Sequence, residues 1–420
     1  MRTLDRRHRI DWGRPPRRRR RSLRAVAVVV VVMAVLVAVG AVVQLLRVVP
    51  PPSFATTLPA SFRIPGPPPP LPWPSTGQAT IGVVGLGSFG SVGGDRPVPI
   101  ASITKMMTAY LILRDHPVPD GAEGPPITMT QADVDDWRVG VAQGQSVVKV
   151  AAGEALSERQ ALEAILVASA NNVAAALARW DAGSEAAFVA KMNAQAAELG
   201  MTHTHYADAI GLDAGSVSTA TDLVVLAERT MAIPTFAGIV AEPQADLPVA
   251  GTVYNYDYLV GHDGFVGIKT GSTSDAGGCF VFAVRRPILG EPRLILGAVL
   301  SQRGRSELAA VLKASQTLAD AAAGAVGRVL ALPAGQVVGR IDSAWSSPVK
   351  VVTSGPATFV GWPGMVVTAR VRAARLGHNV PAGSSVATVS LTAGTTTVQL
   401  PARAAVSLKP PPASWRLRHG

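Results

Sequence analysis

A serine and a lysine stand three positions apart at the start of an apolar run, Pro99-Ile100-Ala101-Ser102-Ile103-Thr104-Lys105-Met106-Met107-Thr108-Ala109-Tyr110. On a helix the two side chains share a face about one turn apart, so an amine can take the hydroxyl proton and leave a nucleophile. The pattern alone does not single out this pair, because Ser146 to Lys149 and Ser347 to Lys350 repeat it. Context does. Ser146-Val147-Val148-Lys149 lies in an extended Val-rich run, and Pro348 breaks a helical reading of the third copy, so in both places serine and lysine face different ways.

Two more stretches carry reactive residue types. Ser169-Ala170-Asn171 interrupts a helical pattern, and taken alone it reads as a cap or a kink. Lys269-Thr270-Gly271-Ser272 closes a strand pattern, and taken alone it reads as an edge strand ending in a turn. Order and combination change this: Ser-x-x-Lys on a helix, Ser-x-Asn 67 positions later and Lys-Thr-Gly 100 positions beyond that form a close variant of a known serine acyl-transfer signature. Base usage adds to it. The chain has 7 lysines among its 39 basic residues, and arginine cannot release its proton near neutral pH whereas a desolvated lysine can. Lys105 and Lys269 therefore call for a chemical explanation.

The elements that must position these residues follow from periodicity. Thr80 to Leu86 reads as a strand, Gly87 to Gly94 as a glycine-rich turn and Ser102 to Arg114 as a helix. Helical patterns cover Ser157 to Trp180 with the break at 169–172, then Ser184 to Leu199, Thr219 to Met231 and Ser306 to Ala323, several opened by a capping serine or threonine. Three strand patterns, Gly264 to Lys269, Gly278 to Val284 and Arg293 to Leu300, follow one another through turn-like connections, which predicts an antiparallel sheet with helices packed on it. Beyond about Gly327 helical periodicity gives way to short β runs between Pro and Gly turns, the pattern of a small all-β domain.

Composition bounds the rest. The net charge is +11, but Met1 to Arg24 holds eleven arginines and two aspartates, so the remaining chain sums to near zero. No nucleic-acid partner, and no basic face on the folded body, is expected on that count. Ala25 to Leu46 is uncharged for 22 residues, long enough to span a bilayer and longer than a usual signal-peptide core. The arginine cluster before it places the N-terminus in the cytoplasm and the remainder outside a single-pass cell-membrane anchor. The Pro-rich stretch from Val48 to Thr76 reads as a stiff spacer holding the body off the membrane. Cys279 is the sole cysteine, so no intramolecular disulfide or thiol-rich metal site is possible, and His203 and His205 lack further ligands. No metal and no cofactor is expected. The expected organisation is a basic tail over 1–24, the membrane helix over 25–46, a linker over 47–76, a catalytic domain over 77–326, a small β-sandwich-like domain over 327–410 and a tail over 411–420.

The chain resembles membrane-anchored D-alanyl-D-alanine carboxypeptidases, the low-molecular-mass penicillin-binding proteins of serine peptidase family S11. The likeness extends beyond the triplets to Ile127-Thr128-Met129-Thr130, Ser169 to Asn172, Gly211-Leu212-Asp213, Ser218 to Leu223, Asn255, Gly267 to Gly277 and, in the β domain, Val380-Pro381-Ala382-Gly383. It implies an α/β fold of the serine β-lactamase and penicillin-binding-protein type, in which helices pack on an antiparallel sheet. It also implies roles. Ser102 would attack the D-Ala-D-Ala carbonyl with Lys105 as base, and Ser169 would relay a proton to the leaving D-alanine. Asn171 would hold the Lys105 amine and the substrate amide. The N–H groups of Ser102 and Ser272 would form the oxyanion hole beside Gly271, and Lys269, Thr270 and Arg305 would bind the terminal carboxylate. The implied partners are peptidoglycan stem peptides ending in D-Ala-D-Ala and β-lactams as covalent inhibitors. Alternatives with the same machinery are a β-lactamase, for which no Glu-x-x-Leu-Asn loop is found between Asn171 and Lys269, and a DD-endopeptidase. A catalytically silent wall-binding scaffold is the alternative from another class. Ser169-Ala170-Asn171-Asn172 departs from the family's usual Ser-Gly-Asn-Asp.

Overall fold

The computed structural model describes residues 17–419, without the side chains of 17–21, so most of the expected basic tail lies outside the described residues. The first element is helix α1 (Arg17–Leu46). At 1.5 Å per residue its apolar part, Ser22–Leu46, is about 38 Å long, and none of it is buried against protein. That is compatible with a single-pass membrane anchor.

The stretch expected to be a free spacer is instead paired at two points. Strands β1 (Ser53–Thr56) and β2 (Ser61–Arg63) join a sheet built mainly by the C-terminal third of the chain, and Ile64 is buried in its core. The short alternations Ser53-Phe54-Ala55-Thr56 and Ser61-Phe62-Arg63 carry that pairing, and the surrounding prolines mask them in the sequence.

The middle of the chain forms a five-stranded antiparallel sheet from β3 (Gln78–Val83), β4 (Gly87–Val92), β5 (Phe265–Thr273), β6 (Gly277–Ile288) and β7 (Glu291–Gln302), in the order β5-β6-β7-β3-β4. Gly87–Val92 is thus a strand rather than a turn, an exposed edge that crosses β3 closely at Gly82, where a Cβ would sit 2.8 Å from the Gly87 carbonyl oxygen. The period of two along β6 divides its side chains between two layers. Cys279, Val281 and Ala283 face a helical layer, whereas Phe280, Phe282 and Val284 face the opposite side.

The helical layer contains α2 (Lys105–Asp115), α3 (Gln131–Ala142), α4 (Glu158–Leu166), α5 (Asn171–Ala182), α6 (Glu185–Glu198), α7 (Ala220–Thr230) and α8 (Pro234–Val240). Ser157, Ser184 and Thr219 cap α4, α6 and α7 as expected from their types, each accepting a bond from a backbone N–H in the first turn. α2 is buried nearly all round, through Met106, Met107, Ala109, Leu111 and Ile112, and is the spine of this layer. On the far face lies α9 (Glu307–Ala325), capped by Ser306.

The remaining strands, β8 (Val337–Ser343), β9 (Ser346–Thr353), β10 (Val366–Ala373), β11 (Ser385–Ala393) and β12 (Thr396–Ala404), form a seven-stranded sheet with the two early ones, ordered β1-β8-β9-β12-β11-β10-β2. A ladder of Gly327–Leu332 with Ala357–Gly361 covers it, giving the expected small all-β unit. Its core runs without a break into the α9 layer. A last helix, α10 (Ala413–Arg418), returns to α1, where the Arg416 guanidinium donates to the Leu45 and Arg47 carbonyls at 2.8 and 3.2 Å.

The near-zero charge sum after the tail conceals a segregation. Residues 25–326 hold 18 basic and 25 acidic residues, and residues 327–420 hold ten basic residues and one acid, Asp342. The expectation that no folded face is basic fails for this reason. Arg340, Lys350, Arg370, Arg372 and Arg403 occupy exposed positions on one face of the seven-stranded sheet by strand alternation and register.

Candidate active site

Ser102 lies on a 3-10 turn, Ala101–Thr104, that leads into α2, rather than on the α-helix itself. With three residues per turn, side chains three apart eclipse one another, which aligns Ser102 and Lys105 more directly than an α-helix does. Lys105 Nζ is 2.8 Å from Ser102 Oγ and donates to the Ile210 carbonyl at 2.7 Å. The amine is fully buried. Burial pushes its pKa well below the ordinary lysine value, and the nearby charge of Lys269 pushes the same way against the opposing pull of Asp208. A neutral amine has two hydrogens and one lone pair, so it can donate to Ile210 and accept the Ser102 proton at once.

The loop that supplies Ile210 is fixed by a residue the sequence reading did not single out. The Asp208 carboxylate accepts from the N–H groups of Gly211, Leu212 and Asp213 at 2.7, 2.7 and 2.8 Å and from the Ser216 hydroxyl at 2.8 Å. Gly211 has φ +80°, and a Cβ there would sit 1.9 Å from the Ala101 carbonyl oxygen, so the loop can press against the serine turn only with glycine. An aspartate three residues ahead of a glycine was the available signal, that of an Asx-type turn.

On the opposite side β5, the free edge of its sheet, passes the serine turn. A Cβ on Gly271 would meet the Ser102 nitrogen at 2.9 Å and the Ile100 oxygen at 3.0 Å, so the Lys-Thr-Gly glycine permits that approach. Thr270, Gly271 and Ser272 line a cleft of about 210 Å³ with Ser102, Ser146 and Ser169. It continues past Ser272 and Thr273 to Gln145, Asn171 and Leu212. Ser146, from the second Ser-x-x-Lys copy, therefore belongs to the site although its lysine is exposed on the other side. Position in space, and not helical pairing, brings it there.

Ser169 is buried with φ +58°, one of five non-glycine residues with positive φ among the described residues; Ala101, next to Ser102, is another. Backbone held in this region is costly and concentrates where the surroundings over-determine it, as at functional sites. Asn171 opens α5 and its side-chain amide donates to Gln145 at 2.9 Å, while its Oδ1 is buried with no partner among the described residues. The amine contact expected of Asn171 is thus made by Ile210 instead. Asn172 holds the adjoining loop by accepting from Val148 N–H at 3.1 Å and donating to its carbonyl at 2.9 Å.

Lys269 is buried behind the cleft, where its ammonium donates to the Thr270 carbonyl at 3.0 Å. Asp257, also buried, faces it electrostatically. Desolvation lowers Lys269 to about 7 and raises Asp257 to about 7, and each charge favours the other. Asp257 accepts from Leu259 N–H at 3.1 Å through Oδ1, and its Oδ2 has no hydrogen-bond partner among the described residues. Nothing in the sequence pattern marked Asp257, because its link to Lys269 is purely tertiary. Arg305 is exposed in the turn before α9 and does not line the cleft. Its neighbour Arg303 binds Glu307 at 2.9 Å, and Glu307 accepts from the Ser272 hydroxyl at 2.8 Å. Cys279 is buried and its thiol is pushed up to about 12, which leaves it unreactive.

A serine beside a desolvated lysine, between a helix break and a sheet edge, defines a serine hydrolase of the Ser-x-x-Lys class. The sequence profile of the D-alanyl-D-alanine carboxypeptidases, peptidase family S11, matches residues 91–296. The D-alanyl-D-alanine carboxypeptidase of Streptomyces sp. K15 is 30% identical over 217 residues, covering 48% of this chain and 71% of that protein. The D-alanyl-D-alanine carboxypeptidase DacB2 of Mycobacterium tuberculosis is 41% identical over 156 residues, 36% of this chain and 52% of its own length. Its relatedness is therefore seen over about half of that protein. The crystal structure of the Streptomyces K15 DD-transpeptidase superposes with a TM-score of 0.52 at 25% identity, over 59% of this chain and 98% of that one. The carboxypeptidase DacD of Francisella tularensis shares the fold over 81% of this chain and 95% of its own, with a TM-score of 0.57 at 19% identity. The chain belongs to the S11 D-alanyl-D-alanine carboxypeptidase family.

Proposed function

We propose that this protein is a membrane-anchored serine D-Ala-D-Ala carboxypeptidase that trims peptidoglycan stem peptides and is acylated by penicillin. The observation that carries this is the 2.8 Å approach of a fully buried, pKa-depressed Lys105 amine to Ser102 Oγ. Ser102 Oγ attacks the carbonyl of the penultimate D-alanine while Lys105 takes its proton. The N–H groups of Ser102 and Ser272 receive the oxyanion, aided by the positive end of α2. As the intermediate collapses, the peptide C–N bond breaks and the leaving nitrogen gains a proton from the Lys105 amine by way of the Ser169 hydroxyl. Water then attacks the Ser102 ester as Lys105 takes its proton, and the amine passes that proton to Ser102 Oγ as the ester C–O bond breaks, which frees the shortened peptide and restores the serine hydroxyl. The unpartnered Asn171 Oδ1 accepts from a substrate amide, and Lys269 with Thr270 attracts the terminal carboxylate. The arginine-rich N-terminus stays in the cytoplasm, so the catalytic unit over 77–326 and the β unit over 327–410 work on the outer side.

The test is release of D-alanine from an acylated peptide ending in D-Ala-D-Ala by the full-length protein in detergent, together with fluorescent penicillin labelling. Wild type should release D-alanine and label covalently, and Ser102→Ala should do neither. Equal labelling of both proteins overturns the assignment of Ser102.

A further inference from the structure

A groove of about 900 Å³, larger than the catalytic cleft, lies on the outward face of β10, β11 and β12. Register places its side chains in rows: Arg370, Ser390 and Gln399 form one, and Thr392 and Thr397, whose hydroxyls are 2.9 Å apart, belong to the next. Arg372 lies one row to the other side. Rows are about 6.8 Å apart along the strands. Arg370 and Arg372 are exposed and form no ion pair among the described residues. The lining is otherwise hydroxyl and amide, with only Val371 apolar.

We propose that this groove binds the carboxylate-bearing glycan-peptide polymer from which the stem-peptide substrate projects; the proposal rests on the function proposed above. The two guanidinium groups supply forks for carboxylates, and the Ser, Thr and Gln side chains supply the donors and acceptors that sugar hydroxyl and acetamido groups require. Charge distribution selects the same partner. An anionic polymer is repelled by the net-acidic catalytic body and drawn to a β unit whose residues 327–410 hold eight basic residues and one acid. The groove also runs in a useful direction. Beyond its Thr392–Thr397 end, Thr395 N–H donates to Gly85 O at 2.9 Å on the catalytic body. Beyond its Arg372 end, His378 bonds the Val49 carbonyl at 2.8 Å, just after α1. A polymer in the groove is thereby held along the side that joins anchor and enzyme.

A bilayer is the competing polyanion. Its recognition chemistry is gathered elsewhere, where Trp415 packs edge-on against Trp345 and Arg416 caps the end of α1. A concave hydroxyl-lined face with no aromatic residue and only Val371 apolar suits a chain better than a flat surface.

The experiment measures co-sedimentation of full-length protein in detergent micelles with purified peptidoglycan sacculi stripped of other wall polymers, across a salt series. Wild type should bind, and binding should weaken with salt. Arg370→Gln/Arg372→Gln should bind about tenfold more weakly, Arg370→Lys/Arg372→Lys should regain most of the loss, and thermal unfolding should be unchanged. D-alanine release from a short soluble peptide should be the same in all three. Unchanged sacculus binding by the Gln variant overturns the proposal, as does a loss confined to nanodiscs containing anionic lipid. Absence of D-alanine release by wild type counts against the function proposed above and leaves the sacculus assay readable.

Discussion

The two folded parts of this chain treat polar groups in opposite ways. The catalytic body buries them: Lys105, Lys269, Asp257, Asn171 and Glu158 are all shielded from water inside a body with more acids than bases. The β unit buries almost none and displays its arginines on an open sheet face. Desolvation shifts proton affinities and makes chemistry possible at neutral pH, whereas exposed charge keeps its ordinary state and acts at long range. The first arrangement suits a reaction and the second suits capture of a charged polymer.

The comparison breaks first at Gly271. Gly271→Ala drives a methyl group into the Ser102 nitrogen, so acylation by penicillin should fall about a hundredfold through displacement of the serine turn. Stopped-flow acylation rates check this, and a loss under threefold would mean that the strand edge yields freely. Methyl groups added on the open face of the β unit should leave that rate alone.

Glu158 is a buried polar group with no catalytic use. Both its carboxylate oxygens are unpartnered among the described residues, and burial raises its pKa from 4.5 to about 7. Between these values the unfolded chain loses the proton first, so stability falls as pH rises through that window. Glu158→Gln should therefore stabilise the protein by about 2 kcal/mol at pH 8 and not at all at pH 4. Thermal melts at the two pH values decide it; equal gains at both would show that Glu158 does not titrate in this window.

Asp257 sharpens the contrast most finely. Its negative charge favours charged Lys269, so Asp257→Asn should lower the Lys269 pKa further. The KM for a carboxylate-terminated peptide should then begin to rise about one pH unit earlier on the alkaline side, with kcat nearly unchanged. An ester substrate lacking the carboxylate should show no such shift. A KM profile identical to wild type would remove Asp257 from the support of Lys269.

Much of this was legible beforehand because it is local. Apolar periodicity located α2, α4 to α7 and α9, though not α3 or α8, and Ser157, Ser184, Thr219 and Ser306 announced four of the starts, since a capping side chain acts within its own turn. The nucleophile and its base were legible together because three residues separate them. Asp208, Asp257, Ser146 and Glu307 were not: Asp257 acts on a lysine 12 positions away across the fold and Glu307 on a serine 35 positions away, Ser146 meets Ser102 only across the cleft, and Asp208 acts through a loop that only folding presses onto the serine turn. Arg305 was expected at the site for its place just after the last strand, and the turn into α9 leaves it exposed outside the cleft.

Residue type and order by themselves determined the family, the Ser102–Lys105 pair, the apolar anchor segment and the presence of a β unit after residue 327, because these depend on short-range pattern. Tertiary structure alone decided that Lys105 is desolvated, that Ile210 holds its amine and that the strand bearing Gly271 closes on Ser102. It also decided that arginines scattered through the C-terminal third share one sheet face. Burial and juxtaposition are properties of packed distance, and packed distance is what separation along the chain does not record.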